Sequence, residues 1–389
     1  MMPDLTRLRY VALAAGVLGL AVTALTWLLD PRAFFAGYLA AYVFWSGIAL
    51  GCLGIALLQQ VTGGVWGLAV RRIAEAGART LPLVALLFIP LLFGLALLYP
   101  WMHAEEVASS AALQQKSAYL NLPFFIGRTV FYMASWLMLA WQLDRWSTRE
   151  DREANPAVTA SLWRLGVGGL IVLGLTAAFA MIDWVMSLEP EWYSTVYPSM
   201  VATGSLLAAF AVVILTLLFL APRSDLALLV TPQLRNDLGS LLLAFLMLWA
   251  YQQFSQYLLI WSGNLQEEVT WYLRRQEGVW LWASLALIVF GFCIPFFLLI
   301  FREIKRSVPW LAGIAGLLLA MRVVEDIWLV GPGLDLGVRV VGVALAAVIG
   351  IGGVWLWWYG RELTARPLIA LHDPRLVNTA AVSAEAEHA

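Results

Sequence analysis

Ten stretches of the chain run almost without polar interruption for the width of a bilayer. They cover Leu8–Leu29, Phe34–Leu58, Leu81–Tyr99, Leu122–Leu143, Leu165–Met186, Met200–Leu220, Leu238–Ile260, Val279–Phe301, Pro309–Val330 and Leu336–Tyr359. A membrane helix needs about 20 mostly apolar residues at a rise of about 1.5 Å each. The runs are continuous rather than alternating, which excludes the strands of a membrane barrel. The first run follows Arg7 and Arg9. It exceeds the ~7–15 residues of a cleavable signal core and lacks a clear small-residue cleavage site after it, so it reads as a retained helix. The expected fold is all-α. A polytopic integral membrane domain of ten transmembrane helices spans residues 1–371, and a short polar cytoplasmic tail spans 372–389.

Lys and Arg orient the spans. Of the 24 in the chain, 17 fall on the side of the N-terminus, six on the opposite side, and Arg322 lies inside a span. The positive-inside rule then places both termini in the cytoplasm. A missed span would have scrambled this asymmetry. Composition agrees: 62% of residues are hydrophobic, 13% are charged, and the mean hydropathy is +0.81. A soluble domain averages roughly 45–50% apolar and 25% charged residues. A net charge of −1 offers no field for nucleic acid. Two cysteines exclude a disulfide scaffold and a cysteine-ligated cluster. The three histidines are His103, His372 and His388, two of them in the tail, which argues against a bis-histidine haem in the membrane.

A charge near the bilayer centre costs ~2.5–3.5 kcal/mol on insertion scales, so charges inside spans are the natural place to look for function. The ninth span carries Arg322, Glu325 and Asp326. Spacings of i,i+3 and i,i+4 put both carboxylates on the face of the arginine. Counted from Pro309, Arg322 lies ~20 Å and Asp326 ~26 Å into the span, which is the outer part of the bilayer. The trio is either a self-neutralised intrahelical group or, with two acids against one base, a proton relay or ion gate.

Asp183 sits near the outer end of the fifth span, on the wrong end of its helix dipole, and calls for a partner such as Arg128 or Arg322. Arg128 opens the fourth span, where it either snorkels or pairs. The seventh span holds Tyr251, Gln252, Gln253, Ser255, Gln256 and Tyr257, with Tyr251 expected near the midplane. Such side chains join helices at ~0.6 kcal/mol each or order a water file. His103, beside Glu105 and Glu106, is a solvated loop residue or a proton exchanger at the outer face. The proton-pathway candidates are therefore Asp183, Arg322, Glu325, Asp326, Arg128, His103 and Tyr251. No Ser–His–Asp, HExxH or phosphate-loop arrangement is present.

Two longer outer loops, Pro100–Asn121 and Trp261–Gly278, are rich in Trp, Tyr and Glu, as pieces lying at the interface would be. Gly47, Gly51 and Gly54 form a small-residue stripe for close helix packing. Pro90 and Pro295 occupy matching places in a five-plus-five split. That would suit inverted repeats, but kinks explain them more simply.

Several stretches, in order, resemble the ActF-type membrane subunits of alternative complex III, the bacterial quinol:electron-acceptor oxidoreductase. They are Leu58–Gly67 (Leu-Gln-Gln-Val-Thr-Gly-Gly-Val-Trp-Gly), Leu98–Trp101 (Leu-Tyr-Pro-Trp) and Tyr119–Phe125 (Tyr-Leu-Asn-Leu-Pro-Phe-Phe) with Arg128. Asp183–Thr195, which begins Asp-Trp-Val-Met-Ser-Leu-Glu-Pro, and Gln256–Trp261 with Asn264, Glu267 and Glu268 complete the set. The resemblance implies an NrfD-like fold of two four-helix bundles plus two flanking helices in the bacterial plasma membrane. It implies a non-catalytic respiratory-chain subunit with no cofactor of its own. Partners would be an ActC-like quinol-binding subunit, an ActB-like iron–sulfur subunit and a multihaem cytochrome carrying haem c. It also implies a coupling of quinol oxidation to proton movement, without naming the residues. Asp183, Arg322, Glu325 and Asp326 are expected to form one hydrated cluster that releases protons toward His103. The competing readings are a purely structural scaffold, a quinone pocket in this chain, and a stand-alone secondary transporter. The transporter would need discontinuous helices and a midplane cavity.

Overall fold

The computed structural model describes residues 3–369, all helices and connections with no strand among them. The tail 372–389, with His372 and His388, lies outside the described residues. The elements are α1 (Pro3–Leu29), α2 (Pro31–Thr62), α3 (Val65–Ala78), α4 (Leu81–Leu92), α5 (Leu122–Glu150), α6 (Pro156–Trp184), α7 (Tyr197–Leu220), α8 (Pro232–Gly263), α9 (Gln266–Arg274), α10 (Gly278–Ala286), α11 (Val308–Val330) and α12 (Val338–Thr364). Nine helices among the described residues are long and apolar enough to cross a membrane. The protein is thus a multi-pass membrane protein. Another long helix, α11, is not among those nine; it carries Arg322, Glu325 and Asp326.

The starts of the long helices follow from local chemistry. Asp30, Asn121, Asn155 and Thr231 each accept a hydrogen bond from a backbone N–H of the first turn, and a proline occupies the opening positions of α2, α5, α6 and α8. Proline lacks the N–H that would be orphaned there, and the cap satisfies another. Gly63 and Asn264, in left-handed backbone at φ 72° and 45°, end α2 and α8.

Helix α2 is the centre of the molecule, with 94% of its apolar window buried. It packs against α12, α7, α6, α3 and α11. Gly47 and Gly51 rest on Ser205 and Ala209 of α7, so the small-residue stripe is a helix contact. Helix α1 is the opposite case, with 17% of its window buried and α12 as its main neighbour.

Both prolines interrupt their helices. Helix α4 loses its regularity at Phe93 and Gly94, just after Pro90, and resumes as Leu95–Leu98. Ahead of Pro295, Leu287–Cys293 widens into a π-helical segment before Ile294–Ile300 continues. A proline ring clashes with the carbonyl four residues earlier, and a wider turn relieves it.

The third span is corrected: the stretch left unassigned between the second and third runs forms α3, and the third candidate span covers Trp66–Leu92 rather than beginning at Leu81. The two outer loops do contain short helices, Ala104–Ser109, Ala111–Lys116 and α9.

Candidate functional site

The charged residues singled out by the sequence fall into two buried groups. The first is built by α5 and α6. Asp183, fully buried in the last turn of α6, accepts from Arg128 Nε at 2.8 Å and Nη2 at 2.9 Å, and from the Tyr132 hydroxyl at 2.9 Å. A two-pronged arginine–carboxylate pair is among the strongest polar contacts a protein makes. Arg128 also donates to the Tyr119 carbonyl at 3.0 Å, and its guanidinium lies 3.7 Å from the Tyr119 ring centre. Burial, aided by the nearby Asp183 charge, pushes the Tyr119 phenol up to about 12. The next residue, Trp184, is packed by Tyr42, Phe88 and Trp136, and its carbonyl accepts from the Tyr99 hydroxyl at 2.8 Å. These contacts fix the turn at the helix end and with it the carboxylate.

The second group is built by α7, α8 and α11. Arg322 pairs within its own helix with Glu325 at 2.8 Å and Asp326 at 2.9 Å, and all three are buried. Glu325 further accepts from Trp249 Nε1 at 2.9 Å and Gln253 Nε2 at 2.7 Å. Asp326 has no such donors; its two oxygens accept no hydrogen bond, and it faces Arg322 only as an ion pair. Arg322 itself donates to the Val201 carbonyl at 3.3 Å, across a gap kept open by Gly204. The group holds two carboxylates against one guanidinium, whereas the first group is balanced one to one.

The expected single cluster is therefore two. Asp183 takes Arg128, not Arg322, as its partner, and no hydrogen bond or ion pair among the described residues joins the groups. The reason is connectivity: Arg322 is already committed to two acids on its own helix. Tyr251 leaves the candidate site too. It is 68% exposed, and the neighbouring Gln252 bonds Ser199 in the first turn of α7, so the residue is near that helix end rather than at the midplane. Gln253 and Gln256 bond other segments, as helix-joining side chains would. His103 is exposed, with Nε2 2.7 Å from the Ala96 carbonyl, and touches neither group.

A third buried network was not expected. On α3, Arg71 pairs with Glu75 at 2.9 Å and with Glu150 of α5 at 2.7 Å. Arg72 pairs with Glu75 at 2.8 Å and with Asp151, and Ser147 donates to Glu75 at 2.7 Å. The network is buried because α3 folds back along α2, bringing Gly67 against Gln59 and Gly77 against Cys52. Its signal was present in the sequence: Arg71, Arg72 and Glu75 repeat the i,i+3 and i,i+4 spacing of the α11 trio. Beyond the spans, Arg275 lies 2.9 Å from Glu189 and 3.5 Å from the Trp271 ring centre, pinning α9 to the loop after α6.

Among the described residues no three His, Cys, Asp or Glu side chains gather into a metal-binding group. Against known proteins, no family model matches the chain and no curated protein is similar to it.

Proposed function

We propose that the chain is an integral subunit of a quinol-oxidising electron-transfer complex of the alternative complex III type, and that the Arg322–Glu325–Asp326 group carries protons. In this reading it has ten spans, with α11 as the ninth, and both termini face the cytoplasm of a bacterial plasma membrane. It holds no redox centre; haem c, iron–sulfur clusters and quinol belong to its partners. The packing of α2 with α3 and α6, and of α7 with α8 and α11, supports an NrfD-like pair of bundles flanked by α1 and α12.

The observation that carries the proton reading is the charge count. Two buried carboxylates share one guanidinium, and only Glu325 has additional hydrogen-bond donors. An unbalanced buried charge is expensive, so a proton entering the group neutralises it. A change of charge in a neighbouring redox subunit would drive that uptake and the later release to the outer face. The one-to-one Arg128–Asp183 pair favours a second reading for its own half of the molecule, that of a scaffold. The stand-alone transporter is less well supported. The helix breaks it needs are present, but the pocket at Glu191–Tyr193 and Leu265–Glu268 and the one between Leu5, Leu220 and Leu363 lie at helix ends and loops rather than at the middle of the spans.

The test is proton release per quinol in the reconstituted complex. Glu325→Gln and Asp326→Asn should lower the proton yield while quinol oxidation continues. An unchanged yield leaves the scaffold reading alone. If the chain purifies without iron–sulfur and multihaem partners, the assignment to such a complex fails.

A further inference from the structure

The exposed stripe of α5 changes character along its length. Phe131, Met138 and Trp141 are 61%, 52% and 55% exposed, then Arg145 and Arg149 follow on the same face, with exposed Arg152 in the turn just past the helix end. The spacing from Trp141 to these two is i+4 and i+8, which keeps one side of a helix. Arg145 and Trp141 are in contact, with the guanidinium 5.5 Å from the ring centre. Across the short turn to α6, Trp163 is 51% exposed and is followed by exposed Arg164. Counted from the turn, Trp141 lies ~14 Å and Trp163 ~10 Å back into the bilayer, so both tryptophans sit at a similar depth.

The charges of this hairpin are sorted. Its acids are engaged from within: Asp144 by Arg366 at 2.9 Å, Glu150 by Arg71 at 2.7 Å, and Asp151 by Arg72. Its arginines face outward. Among the described residues Arg145 and Arg152 have no carboxylate partner, Arg164 bonds the Ala160 carbonyl and the Ser161 hydroxyl, and Arg149 meets Glu153 at a loose 3.6 Å. The exposed charge is four guanidiniums against one carboxylate.

We infer that the α5–α6 hairpin is a binding site for an anionic glycerophospholipid. Its acyl chains would lie along Phe131 and Met138, its glycerol region at Trp141 and Trp163, and its headgroup among Arg145, Arg149 and Arg152, met by Arg164, which starts one residue deeper than Trp163 and reaches back along α6 to the Ala160 carbonyl. Tryptophan prefers that interfacial depth. Basic side chains beside membrane helices are what negative headgroups seek. A zwitterionic lipid supplies the same apolar length with no net charge, so discrimination falls to the arginines.

The experiment uses the full-length protein in nanodiscs of phosphatidylcholine with or without phosphatidylglycerol, followed by native mass spectrometry of retained lipid and by thermal unfolding. Phosphatidylglycerol should be retained preferentially and raise the melting temperature. The combined variant Arg145→Gln, Arg152→Gln and Arg164→Gln should lose retention by about fivefold per arginine removed. The corresponding lysine variants should keep it, which separates loss of charge from failure to fold. Arg223→Gln, an exposed arginine elsewhere, should change nothing. Equal retention of the two lipids, or by the glutamine variant and the native protein, overturns the proposal. So does an equal rise in melting temperature with inorganic phosphate in phosphatidylcholine discs, which would mark a free-anion site. A glutamine variant that sheds a protein partner while keeping its lipid overturns it as well, in favour of a protein interface.

Discussion

Gly204 of α7 stands where a single methyl group would lie 2.0 Å from the Arg322 guanidinium. The missing side chain is what lets a charged group cross between α7 and α11 to reach the Val201 carbonyl. Gly204→Ala should therefore displace Arg322 from its acids. Overpacking alone costs about 1–3 kcal/mol, and a buried pair left without its base costs about 3–5 kcal/mol. Thermal unfolding in detergent would place the variant between those limits, and the proton yield of the complex should fall with it. A Gly204→Ala protein as stable as the native one would mean that the guanidinium has another seat.

The Arg128–Asp183 pair makes a different prediction, because it is balanced. Removing one partner strands a buried charge, so Arg128→Met or Asp183→Leu alone should destabilise by about 3–5 kcal/mol. Removing both should cost clearly less than the sum, since an apolar pair of similar volume replaces the ions. A double-mutant cycle on unfolding free energy reads the coupling directly. Additive losses would show that the two side chains act separately despite their 2.8 Å contact.

Glu75 anchors the network that sequence reading overlooked. It is 1% exposed and receives Arg71, Arg72 and Ser147. Glu75→Gln should remove the charged acceptor that Arg71, Arg72 and Ser147 share, leaving Arg71 with Glu150 and Arg72 with Asp151, and lower stability by about 1–3 kcal/mol. Glu153→Gln on the same surface, whose pairing is exposed, should change stability by less than about 0.5 kcal/mol. Comparing the two melting temperatures under one condition checks the assignment.

The same comparison explains what was legible beforehand. The apolar runs announce themselves because lipid tolerates no unpaired backbone. The α11 trio could be paired from spacing alone, since its members share one helix. Arg71, Arg72 and Glu75 have the same spacing, but they sit where hydropathy drops, and their outside partners Ser147 and Glu150 are about 75 residues away in the chain. Local pattern carries no information about such a closure. Tyr251 failed for a rotational reason. Trp249 and Gln253 face Glu325, and at 100° per residue the position between them points away. Depth was misjudged too, because the adjoining Gln252 bonds Ser199 in the first turn of α7.

Tyr119 supplies a pH prediction. Its phenol is held up to about 12, above its ordinary value of 10.0, chiefly by burial and then by the Asp183 charge. The neutral form is the one the fold favours. Between pH 10 and 12 the unfolded chain therefore binds fewer protons at this site than the native protein does, and stability falls as pH rises. Below pH 10 the contribution is complete. Tyr119→Phe should flatten this part of the alkaline decline in melting temperature relative to the native protein. Identical alkaline slopes would remove Tyr119 from the Asp183 environment.

At the interface of α1 with α12 the two backbones approach each other directly. A methyl group on Gly353 would lie 2.2 Å from the Ala12 carbonyl and 2.4 Å from the Gly16 backbone, and one on Gly19 would lie 2.6 Å from Gly350. Backbone meets backbone here, so no side chain can move aside. In lipid, helices are held together by such close packing rather than by a hydrophobic driving force. Gly353→Val should push α1 off α12, whereas Gly342→Val, with nothing within 4 Å of an added methyl group, should not. Because α1 touches little else, the rest of the fold should survive its release. Cysteines placed at Ala12 and at Val354 would report the event: crosslinking should be efficient in the native background and with Gly342→Val, and should drop severalfold with Gly353→Val. Retained crosslinking would show that the two helices can part by a methyl group's width without separating, and the glycines would then be spacing elements rather than the attachment itself.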